Sequence, residues 1–156
     1  LKLWFQFFLI KFLPVAFNYT TNQKITIIRN CIKNLEELAN LKPKEFVSDF
    51  IYYDSAKYNL QIAIEAMIDI GNHIISRKGL DSPKTYADTF EILGKYNILP
   101  IDMVNTYKQM AKFRNRIVHF YDDVNEEEIY SILQNNLKDF ENYINSIGKF
   151  LGQKLT

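Results

Sequence analysis

Arg114-Asn115-Arg116-Ile117-Val118-His119-Phe120-Tyr121 is the segment whose residue types and spacing could do chemistry. Arginine offers a planar set of donors that matches phosphate oxygens. Histidine exchanges a proton near neutral pH. Of the two histidines in the chain, His119 stands between an arginine and a tyrosine. Arg114 and His119 suffice in principle to cut RNA through its own 2′-hydroxyl. His119 would take the hydroxyl proton or protonate the leaving 5′-oxygen, and Arg114 would stabilise charge on the phosphorane. The nucleophile already lies beside the phosphate, so this route needs no metal. Asn115 could orient a phosphate or a ring, or bond to helix-end backbone. Arg116 either faces solvent or supplies a second basic contact. A purely structural account of the same residues also exists, because Arg and His near a helix C-terminus serve its cap and dipole.

Geometry limits the idea. Positions five apart differ by about 140° around a regular helix, so Arg114 and His119 would point different ways, whereas Arg114 and Tyr121 would nearly align. Either the helix changes near Val118, or the site is assembled across two chains, as a twofold interface allows.

The elements that must position this segment read as helices. Lys24–Leu41 carries an apolar stripe through Ile25, Ile28, Cys31, Ile32, Leu35 and Leu38. Pro43 breaks it, and Glu45–Phe50 allows a short helical turn. Asp54–Lys78 is the strongest helix, with Asp54 or Ser55 as cap and Gly79 as stop. Apolar residues cover most of its circumference, which predicts burial on several sides. Thr85–Leu93 is a short helix, Asn97–Pro100 a break, and Ile101–Val118 a further helix. Asp122–Asn125 reads as a turn with Asn125 capping a last long helix, Glu126–Ile147. The expected fold is all-α, an antiparallel bundle of four to five main helices.

The Asp54–Lys78 helix carries a polar stripe: Gln61, Glu65, Asp69 and then Asn72 or His73. A carboxylate there could orient His119 or pair with Arg114, or the stripe could be the helix's solvent edge. Glu65, Asp69 and His73 also have a spacing compatible with a metal, but no His-Glu-x-x-His pattern is present. No metal or other cofactor is expected.

Composition sets outer bounds. With 156 residues, 47% of them hydrophobic and 24% charged, the chain fits one soluble domain with one sizeable core. Ten tyrosines and twelve phenylalanines point to aromatic packing, an interface or both. Cys31 is the sole cysteine, which rules out an internal disulfide and fits a reducing cytoplasm. The net charge of +1 is near neutral, so a general nucleic-acid sponge is excluded. No Gly-rich phosphate loop or Walker pattern appears. Residues 1–21 hold Lys2 and Lys11 and no acid, and thirteen of the first 17 are apolar. Lys11 and Pro14 argue against a full membrane span, which needs about 20 apolar residues. A secretory-signal shape, an interface helix, a membrane-surface helix, a cap over a groove and a start-site extension all remain open for this stretch.

Arg114-x4-His119-x-Tyr121 resembles the Arg-x4-His-x-Tyr signature of HEPN domains, and the match is most similar to HepT-like toxins. Gln61 to Arg77, Tyr86-Ala-Asp88-Thr-Phe90-Glu-Ile-Leu93 and Phe113 to His119 resemble further segments of that family. The resemblance covers roughly residues 22–148 and leaves 1–21 as an apolar N-terminal extension and 149–156 as a C-terminal tail. It implies a HEPN-like all-helical domain, usually a homodimer with the Arg-His pair near the dimer cleft. It also implies a metal-independent endoribonuclease toxin acting on RNA, encoded beside a minimal nucleotidyltransferase antitoxin. Arg114 and His119 would be catalytic and Asn115 supporting. Tyr121 would be the tyrosine that the partner can modify with AMP, an adduct that fills the phosphate site and repels RNA. Tyr121 would also be able to stack on a base, and Glu65 and Asp69 would match acidic positions near the site. Phe120 departs from the polar residues common in relatives. No DNA substrate and no stable membrane insertion are expected. Two other readings stay open: a non-catalytic module that docks a nucleotidyltransferase, and a helical nucleotide-binding protein.

Overall fold

The computed structural model describes the backbone of residues 2–119 and 124–152, and the side chains of 19–119 and 124–152. Among the described residues there are seven helices and no strand: α1 (Lys2–Ala39), α2 (Pro43–Ser48), α3 (Phe50–Lys78), α4 (Tyr86–Lys95), α5 (Ile101–His119), α6 (Glu126–Asn135) and α7 (Lys138–Leu151). Five main helices were expected at most. The two extra ones are α2, a single Pro-initiated turn, and the division of the last helix into α6 and α7. Asn136 closes α6 by donating its N–H to Ile132 O, while Asn135 bonds its side chain back to Ser131 O. Such amide side chains compete with the backbone ladder. The spacing of Ile129, Leu133, Phe140, Ile144 and Ile147 hides the break, because a buried stripe continues across it.

α3 occupies the middle and packs against α1, α2, α4, α5 and α6. It earns that place from its sequence: twelve of its residues are buried, among them Leu60, Ile64, Met67, Ile70 and Ile74. Its N-cap is Asp49, whose carboxylate accepts from Ile51 N at 2.9 Å, rather than Asp54 or Ser55. An earlier cap lengthens the helix by one turn and exposes Phe50 and Ile51. Gly79 stops it in the left-handed region (φ 62°), and Leu80 N then reaches back to Ile75 O.

α1 runs antiparallel to α3, as the Lys24–Asp69 and Asn34–Asn59 bonds show. α1 crosses residue 21 without a break, so its backbone extends through the apolar N-terminal stretch. α4 and α5 form a second antiparallel pair, tied by Lys108 to Glu91 at 2.6 Å. The core between these pairs is aromatic. Phe90, Tyr107 and Tyr143 lie with ring centroids 5.4–6.0 Å apart, and Tyr143 donates its hydroxyl to Met67 O. Burial pushes both phenols well above their ordinary pKa.

Two local features set α4 against α3. Thr85 and Asp88 form a capping box, with Thr85 Oγ1 accepting from Asp88 N and the Asp88 carboxylate accepting from Thr85 N. These bonds hold the Asp88 carboxyl below its usual pKa. Gly71 permits the close approach. A Cβ at that position would lie 2.6 Å from Thr89 Cγ2 and 3.0 Å from Leu93 Cδ1. Beside it, the buried Thr89 donates its hydroxyl to Asn72 Oδ1 at 2.8 Å.

Gly71→Ala therefore sets two effects against each other. Helix propensity favours alanine by about 1 kcal/mol, but overpacking against the buried Thr89 costs about 1–3 kcal/mol. A net loss of stability is expected, read as a lower urea midpoint with an unchanged slope. A higher midpoint would show that α4 can back away from α3 at little cost.

Candidate active site

α5 stays helical through His119, so Arg114 and His119 do leave it in different directions. Arg114 turns toward α3. Its Nε and Nη2 both donate to Glu65 Oε1, at 3.0 and 2.6 Å, and Gln61 Nε2 donates to the same oxygen at 3.0 Å. Arg114 Nη1 adds a bond to Asn115 Oδ1 at 3.3 Å. The Arg114 side chain is 13% exposed and that of Glu65 32%. A guanidinium this far from water needs its partner, since an unpaired charge here would be costly. The α3 polar stripe thus brings its Glu65 carboxylate onto α5.

The guanidinium also lies over the ring of Tyr86, 5.0 Å from the centroid. Tyr86 begins α4, immediately after the capping residue Thr85. Its ring lines an open cavity of about 650 Å³ together with Asn72, Lys84, Thr85, Asn115 and His119. His119 itself is exposed. Tyr86 therefore touches Arg114 on one hand and shares a cavity lining with His119 on the other, with no irregularity in α5.

The other expected residues lie elsewhere. Asp69 is paired with Lys24 of α1 at 2.6 Å. His73 lines a smaller cavity of about 360 Å³ with Lys24 and Asp69. Glu65, Asp69 and His73 do not converge, and among the described residues no group of three or more His, Cys, Asp or Glu is placed to hold a metal. Arg116 makes a bidentate pair with Glu128, at 2.7 and 3.0 Å, which ties the end of α5 to the start of α6. Phe120 and Tyr121 lie outside the described residues.

Tyr86 is the residue that spacing arguments passed over. It occupies the first turn of a short helix and stays 42% exposed, so the apolar periodicity of α4 gives no reason to single it out. The available signal was an aromatic residue directly after an N-cap.

Arg114→Ala and Glu65→Ala should each destabilise the fold, and the double substitution should cost clearly less than their sum. The expected coupling in a urea-denaturation cycle is about 1–3 kcal/mol. Additive losses would mean that the pair is a surface contact of little consequence.

Comparison with known proteins gives the family. A family model described as "Ribonuclease HepT-like" matches residues 28–147. The chain is 35% identical over 124 residues to an mRNA nuclease HepT of Shewanella oneidensis, a match covering 80% of this chain and 92% of that protein. It is 28% identical over 130 residues to a tRNA nuclease HepT of Aphanizomenon flos-aquae, covering 82% and 87%. Among solved structures, a tri-AMPylated Shewanella oneidensis HEPN toxin in complex with MNT antitoxin superposes with a TM-score of 0.78 at 33% identity, covering 83% of this chain and 97% of that one. With most of its length matched by the family model and an all-helical fold shared with a HEPN toxin, this chain belongs to the HepT-like ribonuclease family.

Proposed function

We propose that the chain is a metal-independent endoribonuclease toxin, neutralised by a nucleotidyltransferase partner, with Arg114 and His119 as its catalytic residues. One observation carries the assignment of residues: His119 is exposed on a cavity whose wall includes Tyr86, the ring on which the Glu65-held Arg114 rests. An imidazole open to solvent can exchange protons with a ligand. A guanidinium fixed by a carboxylate and a ring is preorganised for charge that develops on phosphate.

In the proposed reaction the ribose 2′-oxygen attacks the adjacent phosphorus as its proton leaves. The phosphorus–5′-oxygen bond breaks, and the 5′-oxygen receives a proton. His119 serves one of these transfers and solvent water the other, and the products are a 2′,3′-cyclic phosphate and a free 5′-hydroxyl. A deoxyribose cannot supply the nucleophile, so DNA is not a substrate. Asn115 supports by holding Arg114 Nη1.

A homodimer is part of the proposal. Ile51 and Tyr58 lie seven apart, hence on one face of α3, and both are strongly exposed. Glu65 is the next residue on that face at the same interval, so a second copy docked there would sit beside the Arg114 site. Arg116, within reach of solvent at 36% exposure while bound to Glu128, is the second basic group near the end of α5. Tyr121, two residues beyond His119, is the proposed acceptor of AMP and a further RNA contact. Transfer from ATP to its hydroxyl would release pyrophosphate and leave a negative adduct two residues along the chain from His119. Residues 22–148 form the functional domain, with 1–21 as an extension. Among the described residues no helix is long and apolar enough to cross a membrane, and we assign the protein to the cytoplasm.

Purified wild-type protein should cut RNA in the presence of a chelator and leave cyclic phosphate ends. His119→Ala should lose about 10²–10⁴-fold in single-turnover rate, and a single deoxyribose 5′ of the scissile phosphate should block cleavage there. Undiminished cutting by a clean His119→Ala preparation would defeat the mechanism. A stable complex with the nucleotidyltransferase and no cutting by wild type would favour a docking module instead.

A further inference from the structure

We infer that the cavity beside His119 is a nucleobase subsite, in which Tyr86 is the stacking platform that places the RNA strand against the catalytic groups. The inference rests on the endoribonuclease reading and extends it to a binding residue and a ligand contact.

The ring of Tyr86 has an unusual position. One side carries the Arg114 guanidinium, 5.0 Å from the centroid. Tyr86 is nevertheless 42% exposed and lines the open cavity. A large aromatic ring left uncovered, while its neighbours Thr89 and Phe90 are fully buried, is surface that packing does not require. Every base has a π-face that can stack on such a ring, and the stack tolerates changes of sequence. A guanidinium on one side and a base on the other would sandwich the phenol ring.

The rest of the cavity matches a nucleotide. Its volume of about 650 Å³ falls within the range of small-molecule clefts, roughly 300–1,000 Å³. Its lining includes two amides, Asn72 and Asn115, and one cation, Lys84, and none of the described residues that line it is a carboxylate. Asn72 Oδ1 is engaged by the Thr89 hydroxyl, so the amide nitrogen is the end this side chain offers to a base edge. Lys84 supplies positive charge on the same wall. The groove lined by α3, α5, α6 and α7 differs, because its two cations, Lys112 and Arg116, are matched by two carboxylates, Glu128 and Asp139, and Arg116 is already paired with Glu128. The subsite also explains the tight fit of α4 on α3. Gly71 and the Thr89–Asn72 bond hold the first turn of α4 where Tyr86 touches Arg114 and lines the cavity with His119.

The test uses the full-length protein and a short RNA spanning a cleavage site mapped with wild type. The RNA is made uncleavable by a 2′-O-methyl group on the attacking ribose, and copies lack one base at each position in turn. Binding is read by fluorescence anisotropy. Loss of one particular base should weaken wild-type binding about tenfold. Tyr86→Ala should weaken binding of the intact RNA by a similar factor and become indifferent to that missing base, whereas Tyr86→Trp should keep the base dependence. Tyr86→Leu, which retains bulk without a π-face, should behave as Tyr86→Ala and covers the case in which alanine unfolds α4. Lys84→Ala should weaken binding at all positions alike and reduce its salt dependence. A base penalty that persists in Tyr86→Ala and Tyr86→Leu overturns the subsite, even while wild type still cuts RNA. It is equally overturned if these variants lose self-association but keep every base penalty, for then the ring is a protein contact. If wild type cuts no RNA, the nuclease reading itself falls and takes the subsite with it.

Discussion

Arg114 is a cation largely withdrawn from water, and the site depends on how that charge is compensated. Glu65 accepts two of its N–H groups on one oxygen, Gln61 donates to the same oxygen, and Asn115 takes a third guanidinium N–H. The other face of the compensation is the π-cloud of Tyr86. Three helices therefore contribute to one guanidinium: α3 through Glu65 and Gln61, α5 through Arg114 and Asn115, and α4 through Tyr86. Removing either charge leaves the other poorly solvated, so the interaction that tunes the site also fastens α5 to α3. On the proposed mechanism, stability and readiness for chemistry are coupled at this point.

The central position of α3 makes the arrangement possible. A helix apolar on most of its circumference has few places for polar residues, and those places face whichever neighbours cover them. Gln61 and Glu65 face α5, Asp69 faces Lys24 on α1, and Asn72 faces Thr89 on α4. One stripe at helical spacing thus serves three different helices. That is why Glu65 and Asp69, one turn apart, end in separate environments, and why they do not act with His73 as a ligand set.

This division marks where sequence reasoning works. The helical class, the central role of α3, the Asn125 cap and the stop at Gly79 are local or periodic properties, and each follows from residues close in the chain. The Arg114–Glu65 pair was one of two partnerships open to the stripe, because periodicity names a face without naming what covers it. The break at Asn136 is invisible for a related reason: Leu133 and Phe140 keep the buried spacing on both sides of it. Tyr86 lies in a segment that resembles the family, and nothing in its spacing assigns it a task. Its task arises only when α4 is laid on α3, a contact governed by the absence of a side chain at Gly71.

The angle between Arg114 and His119 posed a difficulty for a site built from one regular helix. α5 stays regular through His119, and the proposed site accommodates that angle. Regular geometry sends the two side chains apart, and α4 spans the gap with a ring that touches one and shares a cavity with the other. On the proposed mechanism this separation is useful. A group that stabilises charge on phosphate oxygens and a group that moves a proton on the 2′- or 5′-oxygen should not occupy the same point, because those atoms lie on different sides of phosphorus in an in-line displacement. If Arg114 and His119 stood on one face of α5, they would compete for the same side of the linkage. A five-residue interval, with a platform between its ends, lets them approach the phosphate from two directions.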